Sequence, residues 1–133
     1  MTVDGDFIEG VLPRLHELSR ILNVFILTAD TNQTVDKLAE SFRDIKIHKL
    51  ESGRGDIQKL YFLEKIGREK TAAIGNGCND VLMLREAALG ICVIGSEGAA
   101  VEAIRASKAL FLNICDALDI FLKRNRMIAT LRK

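Results

Sequence analysis

Short runs of apolar residues recur along the chain and alternate with longer stretches whose apolar residues have helical spacing. The runs are rich in aliphatic and β-branched residues and are almost continuously hydrophobic, which is typical of strands covered on both faces. We therefore predict strands over residues 23–29, 44–50, 70–75, 90–94 and 109–113. Strands of this kind belong to a mainly parallel sheet.

The stretches between the strands predict the crossover helices that a parallel sheet needs. We predict helices over residues 10–22, 34–42, 57–66, 80–88, 98–106 and 116–122. No linker separates these elements, and only residues 52–55 look loose. The predicted fold class is α/β, a three-layer Rossmann-like fold in one domain of residues 1–133.

Composition limits the classes of partner. The 133 residues include 19 basic and 18 acidic side chains, for a formal net charge of +1. This balance gives no extended positive potential that would attract nucleic acid or an anionic membrane, so we expect neither as a partner. No run approaches the roughly 20 apolar residues of a membrane span and no signal segment opens the chain, so we expect a cytoplasmic protein. The odd number of cysteines, without a C-x-x-C pair, predicts reduced thiols.

Candidate chemistry collects where the predicted strands end, the edge at which open α/β sheets bind ligands. Thr28 and Ala29 end the first predicted strand, where a hydroxyl and a backbone N–H can donate to phosphate. The alternative for this segment is a plain helix N-cap. Lys59, near the start of a predicted helix, can neutralise a phosphoryl group or remain a solvated surface residue.

The turn Gly-Asn-Gly-Cys-Asn-Asp, residues 75–80, directly follows the third predicted strand. Its glycines allow a tight turn, while Asn79 and Asp80 place oxygen ligands of the kind that Mg²⁺ prefers beside a helix start. The alternative is a structural turn with Asp80 as N-cap. The turn is not the dinucleotide fingerprint, because the third glycine is missing.

In chain order, Thr28, Lys59 and the GNGCND turn resemble motifs two, three and four of haloacid-dehalogenase-like (HAD) phosphohydrolases. The segments ILNVFILTADT and KTAAIGNGCNDVLMLREAALGICVIGSEGAAVEAI are similar to the soluble relatives of the phosphorylation domain of P-type ATPases. The resemblance covers essentially the whole chain and implies a capless HAD fold with Mg²⁺ as cofactor.

The resemblance also implies roles for individual residues. Thr28 would hold the phosphoryl group, Lys59 would neutralise it, and Asp80 would serve both catalysis and the metal. The remaining implied contacts are the metal ligand Asn76 and the cofactor-binding residues Ala29, Gly77 and Asn79. Many relatives have Asp at the position of Asn76, so this chain should bind Mg²⁺ more weakly.

The departure from the family lies in its first motif, D-x-[DN]-G-T, whose first Asp attacks phosphorus. The strand that ends in this motif would precede Met1, and residues 2–11 look like the loop that follows it. If Asp4 and Gly5 are aligned with the motif instead, Thr2 takes the place of the nucleophile, and threonine cannot form an acyl phosphate. Neither alignment supplies the attacking carboxylate.

The same departure removes a strand from the centre of the expected sheet, between residues 23–29 and 70–75. Either these two strands pair directly, or another chain covers them, or the native polypeptide begins upstream. A homo-oligomer is a further expectation.

The leading hypothesis is therefore a magnesium-dependent phosphohydrolase domain that acts on a phosphorylated small molecule or a phosphoprotein and is impaired because the nucleophilic Asp is absent. The alternative is a non-catalytic module of the same fold that acts through protein–protein contacts. A dinucleotide-binding domain is the third hypothesis.

Overall fold

The computed structural model of the chain describes residues 2–3, 6–29, 36, 40 and 44–133. Its strands are β1 (Thr2–Val3), β2 (Asp6–Phe7), β3 (Phe25–Thr28), β4 (Lys46–Lys49), β5 (Ala72–Gly75), β6 (Leu89–Val93) and β7 (Ala109–Phe111). Its described helices are α1 (Val11–Ser19), α2 (Gly55–Ile66), α3 (Val81–Glu86), α4 (Val101–Ala106), α5 (Ile114–Leu122) and α6 (Arg124–Leu131), with short 3₁₀ turns at Arg68–Lys70 and Cys78–Asp80. None of these helices is long and apolar enough to cross a membrane.

The parallel strands form two hydrogen-bonded groups. β3 pairs with β4, so that Thr28 lies opposite Lys49, and β5, β6 and β7 form a second parallel sheet in that order. β1 and β2 form a small antiparallel hairpin. Among the described residues no backbone pairing joins β3 to β5. The strand that carries the first motif in HAD-like proteins is expected between these two strands. Direct pairing of these two strands, one of the three alternatives above, is therefore not observed.

Side chains along the strands alternate between two buried cores. In β6, Ile91 and Val93 enter the first core and Cys92 enters the second, while in β3 Ile26 lies in the first and Leu27 packs against the second. Successive side chains of a strand point to opposite faces. β3 therefore continues the layers of the β5–β7 sheet although no ladder connects them. Helices α1 and α5 contribute to the first core, and α2, α3 and α4 contribute to the second.

The predicted fold class, a three-layer α/β fold with parallel strands, is confirmed. The five predicted strands correspond to β3–β7 with small differences at their ends, and the predicted helix over residues 34–42 lies outside the described residues except for residues 36 and 40. The β1–β2 hairpin was not predicted, because two-residue strands are too short to show a pattern. Helix α6 was interpreted only as a basic run, although Met127 and Leu131, four positions apart, pack against the first core.

Asp119 is a buried carboxylate that links α1 to α5 and α6. Arg14 donates from Nε to its Oδ1 at 2.9 Å, and the Nζ of Lys123 and Nη1 of Arg126 lie 3.3 and 3.4 Å from its Oδ2. The hydrogen bond from Arg14 is the largest cause that lowers the pKa of Asp119 below its ordinary value, and burial opposes it. The ionised carboxylate therefore stabilises the native state.

The change Asp119→Asn is expected to lower the free energy of unfolding at neutral pH by about 2 kcal/mol, because it removes charge-assisted hydrogen bonds. Folding lowers the pKa of Asp119, so its contribution is complete above the unfolded value of about 3.9 and is lost as the pH falls through the folded value. Urea unfolding of both proteins from about pH 6 to about pH 3 should show the difference shrinking toward acid. A difference that stays constant would contradict this assignment, and the exposed Glu17→Gln serves as the control.

Candidate functional site

A buried ion pair joins α2 to the turn that follows β5. The Nζ of Lys59 lies 2.7 Å from Oδ1 of Asp80, and the two side chains are only 11% and 8% exposed. The residues are 21 positions apart in sequence and meet because α2 packs against this turn and against α3. Lys59 is therefore not a solvated surface residue, which was the alternative that the sequence left open.

The second carboxylate oxygen of Asp80 closes the turn that precedes it. Oδ2 accepts the backbone N–H groups of Asn76 and Gly77, each at 3.0 Å. A side chain at Gly75 would collide with this carboxylate, since its Cβ would lie 2.6 Å from Oδ2. Asp80 makes no side-chain cap to α3, so the plain N-cap alternative does not describe the turn. The turn instead fixes Asp80 between an ammonium group and two amides.

A cavity of about 370 Å³ lies at the carboxyl ends of β3 and β4. Ala29 from the end of β3 and Asn79 from the turn after β5 both line it, so two of the predicted site residues share one cavity. The rest of its lining comes from the last residue of β4, the connection that follows it and the first residue of α2. Those residues are Lys49, Leu50, Glu51, Ser52, Gly53 and Gly55.

Thr28 is the last residue of β3 and is half-buried. Its carbonyl oxygen accepts the N–H of Leu50 at 2.8 Å, which extends the pairing of β3 with β4 to the edge of the cavity. Thr28 therefore lies one residue from the cavity lining, next to Ala29. A phosphate-binding role for its hydroxyl stays a prediction.

Two side chains of the turn carry oxygen atoms of the kind that Mg²⁺ binds, and a metal site at the turn stays a prediction. The described residues contain no group of three or more His, Cys, Asp or Glu side chains that could hold a metal. Mg²⁺ does not need such a group, because it is usually bound by one or two carboxylates, several waters and substrate phosphates. Asp80 supplies one carboxylate, and the exposed Asn76, whose Nδ2 donates to Gly98 O at 3.3 Å, supplies an amide oxygen.

Gly77 contributes to the site through Asp80 in this structure. Its N–H is the group that donates to Oδ2 of the carboxylate. Its predicted contact with phosphate or cofactor stays a prediction, because that contact would have to share this N–H or replace the bond to Asp80.

Cys92 is a buried thiol on β6, opposite Gly75 in the parallel register. Burial is the larger cause that raises its pKa, and the charge of Asp80 raises it further. The thiol is therefore held in its neutral form and has a structural place in the second core. Cys78, in the turn itself, is exposed.

Sequence reasoning assigned no role to Gln58, which lies one residue before Lys59. Its side-chain oxygen accepts the N–H of Glu51 at 2.8 Å, and its Nε2 donates to the carbonyl of Glu51 at 3.1 Å. These bonds anchor a segment that lines the cavity. The only signal in the sequence was the position of Gln58 in the helix that follows the apparently loose residues 52–55.

The chain is 46% identical over 92 residues to the uncharacterized protein MJ0073 of Methanocaldococcus jannaschii. The match covers 66% of this chain and 99% of that protein. No family model matches the chain.

Among solved structures, the chain is similar to 3-deoxy-D-manno-octulosonate 8-phosphate phosphatase from Moraxella catarrhalis, with a TM-score of 0.66. The superposition covers 91% of this chain and 73% of the phosphatase chain, at 19% sequence identity. That phosphatase was crystallised in complex with a magnesium ion, a phosphate ion and a KDO molecule. At this identity the likeness establishes a shared fold.

Proposed function

Because the chain belongs to the family of the M. jannaschii protein MJ0073 and has a HAD-like fold, we propose that it is a magnesium-dependent phosphohydrolase-type domain. Its ligand would be a phosphorylated small molecule or a phosphoprotein. The residue pattern further leads us to propose that it belongs to the soluble P-type ATPase-like branch of the HAD proteins. The fold alone does not carry this proposal, since one fold serves many functions.

The observation that carries the proposal is the buried contact between Lys59 and Asp80, together with the cavity that Ala29 shares with Asn79, the residue before Asp80. A buried ammonium and carboxylate are costly to desolvate, and such pairs often belong to functional sites. Here the pair lies at the carboxyl ends of parallel strands, where α/β proteins bind ligands. The contact of Lys59 with Asp80, and the position of Thr28 next to the cavity-lining Ala29, support a site that combines a cation, a hydroxyl and oxygen ligands for a metal.

In this proposal each group has a role in phosphate binding. Lys59 would balance the charge of the phosphoryl group, and Thr28 would donate its hydroxyl to one of the phosphoryl oxygens. Asp80 and the amide oxygen of Asn76 would hold Mg²⁺, which when bound supplies positive charge that stabilises the phosphoryl oxygens. Ala29, Gly77 and Asn79 would complete the lining.

We expect residues 1–133 to bind phosphate without rapid turnover. In HAD-like phosphohydrolases a carboxylate attacks phosphorus, and neither alignment of the first residues with the family's first motif supplies one. Positioning and charge neutralisation remain available to the chain without that group. Binding and turnover therefore have to be measured separately.

Titration of the chain with inorganic phosphate is expected to give binding that strengthens on addition of Mg²⁺, because the metal balances the ligand's charge. Thr28→Val, which keeps the shape and removes the hydroxyl, should weaken phosphate binding about tenfold. Calorimetry with and without Mg²⁺ measures both effects. Turnover of an aryl phosphate with Mg²⁺ should stay near background.

The control variant is Lys65→Met. It removes the charge of an exposed lysine on α2, the helix that carries Lys59, and should leave phosphate binding unchanged. Absence of Mg²⁺-dependent phosphate binding in the unchanged chain would contradict the proposed function. Turnover of an aryl phosphate at rates typical of HAD phosphatases would contradict the expected impairment. It would not contradict the proposed phosphate site.

The alternative is a non-catalytic HAD-fold module that acts through protein–protein contacts. The observation that favours it is the missing ladder between β3 and β5 among the described residues, because unpaired strand edges can accept a strand from another polypeptide. An in-frame segment ending in D-x-N-G-T upstream of Met1 would favour the enzyme instead.

A homo-oligomer and a cytoplasmic location are further proposals. The oligomer would cover backbone groups at the interrupted sheet, and sedimentation of the purified chain measures its mass directly. The expected reduced cysteines support the location.

A further inference from the structure

Residues 51–53 form one wall of the cavity at the candidate site. Glu51, Ser52 and Gly53 all line it, on the side contributed by the connection between β4 and α2. All three residues are exposed and no strand or helix includes them, so their position depends on contacts made from outside the segment. The nature and strength of those contacts decide whether this wall is ordered.

Gln58 holds this wall by a reciprocal pair of hydrogen bonds. Its Oε1 accepts the N–H of Glu51 at 2.8 Å and its Nε2 donates to the carbonyl of Glu51 at 3.1 Å. The side-chain amide thus satisfies both backbone groups of one residue, as a neighbouring strand would. Because Gln58 immediately precedes Lys59 on α2, the wall and the ammonium group are fixed to the same helix.

The other end of the segment is anchored as well. Arg54 makes a bidentate contact with Asp56, at 2.9 Å from Nε and 2.6 Å from Nη2, and this hydrogen bonding lowers the pKa of Asp56 to about 2. The N–H of Gly55 donates to the carbonyl of Gly53 at 2.9 Å, and Gly53 has a φ of 123°, which favours glycine. Residues 52–54 are exposed and lie in no strand or helix, so the expectation that residues 52–55 are loose stays a prediction.

We propose that Gln58 is a positioning residue whose hold on residues 51–53 sets which group beyond the phosphate the cavity accepts. This inference rests on the proposed function. Three of the residues that line the cavity carry polar side chains: a carboxylate on Glu51, a hydroxyl on Ser52 and an ammonium on Lys49. Groups of both signs beside a hydroxyl suit a ligand with its own hydroxyls, which donate to the carboxylate and accept from the ammonium.

The size of the cavity limits this ligand. Its volume of about 370 Å³ lies near the lower end of the range of roughly 300–1,000 Å³ that is usual for small-molecule sites. The substrate class is accordingly a small hydroxyl-bearing phosphate monoester. Glycerol 3-phosphate is a suitable probe, with inorganic phosphate as the probe that does not reach the wall.

The test compares Gln58→Ala with the unchanged chain in two measurements. Hydrogen exchange of the Glu51 amide should be slow in the unchanged chain and at least about tenfold faster in the variant, because the acceptor has gone. In the presence of Mg²⁺, the variant should bind glycerol 3-phosphate about tenfold more weakly and bind inorganic phosphate within about twofold of the unchanged chain, since a disordered wall must be ordered on binding. Glu64→Ala, an exposed change on the same helix, should alter neither measurement.

Three outcomes would overturn the inference. Rapid exchange of the Glu51 amide in the unchanged chain would show that Gln58 does not hold residues 51–53. If Gln58→Ala weakened the binding of both probes equally, or left glycerol 3-phosphate binding unchanged, Gln58 would have no role in ligand selection. If the unchanged chain binds neither probe, both the proposed function and the role of residues 51–53 in ligand selection are contradicted. The exchange rate of the Glu51 amide would still show whether Gln58 holds this segment. Gln58→Met keeps the side-chain length without the amide's donor or acceptor, and repeats the test if the alanine variant does not fold.

Discussion

Replacing Lys59 with methionine is expected to lower the free energy of unfolding by about 3 kcal/mol, the lower end of what breaking a buried ion pair usually costs. The stem of the side chain keeps most of its packing, but the carboxylate of Asp80 remains buried without its cation. Two backbone N–H groups still donate to Oδ2, which limits the loss. Urea unfolding followed by circular dichroism measures the change.

A double-mutant cycle separates the interaction energy between Lys59 and Asp80 from the effects of the two single changes. Asp80→Asn should also destabilise the chain, because its amide cannot serve both the ammonium of Lys59 and the two backbone N–H groups. The double variant should lose less stability than the sum of the single changes, by about 1–3 kcal/mol, since neither charge is then buried alone.

Lys65→Met on the same helix is the control, and it should stay within about 0.5 kcal/mol of the unchanged chain, as exposed substitutions usually do. Additive effects of Lys59→Met and Asp80→Asn would show that the two residues do not interact in solution. Such a result would remove the observation on which the proposed phosphate site depends.

The change Gly90→Ala is expected to destabilise the fold by about 3 kcal/mol, at the upper end of what overpacking costs. A Cβ at this position would overlap the carbonyl oxygen of Leu84 and lie 2.8 Å from its carbonyl carbon. These are backbone atoms of α3, so no side-chain rotation relieves the collision. Helix α3 would have to move away from β6 and open the second core around Leu84, which is fully buried. Chemical unfolding gives the size of the loss.

Gly55→Ala is the matched control, because a Cβ there would meet only Nδ2 of Asn79, at an ordinary 3.7 Å. Gly55 is the first residue of α2, and alanine should leave stability unchanged or raise it by up to about 1 kcal/mol. If Gly90→Ala matched this control, the close approach of α3 to β6 would not exist in solution. The comparison therefore tests the packing and not the general cost of losing a glycine.

Hydrophobic runs were sufficient to predict the strands β3 and β5–β7, because strands covered on both faces are largely apolar. β4 was predicted with them although its residues Lys46, His48 and Lys49 are exposed. The alternation of runs with amphipathic stretches likewise predicted the layers. The β1–β2 hairpin and α6 were missed for a related reason. The hairpin is too short for a pattern, and in α6 the basic residues obscured the apolar pair Met127 and Leu131.

The candidate site was predicted as a set of residues and not as a geometry. The sequence named Lys59 and Asp80 from their places near a helix start and after a strand, but it left open whether Lys59 was merely solvated. It gave no indication of Gln58, whose bonds to Glu51 join a side chain to backbone atoms. Main-chain groups are the same at every residue, so such a contact leaves no mark on residue type.

The sequence by itself determined which segments are strands and helices and which edge of the sheet carries polar groups, since both follow from local hydrophobic period and from turn residues. Only the tertiary structure decided that Lys59 reaches Asp80 across 21 positions, that β3 and β5 are not paired among the described residues, and that Gln58 bonds to both backbone groups of Glu51. The physical reason is that burial and hydrogen bonding between distant segments depend on how helices pack on the sheet. That packing is a property of the whole chain and not of any local stretch of it.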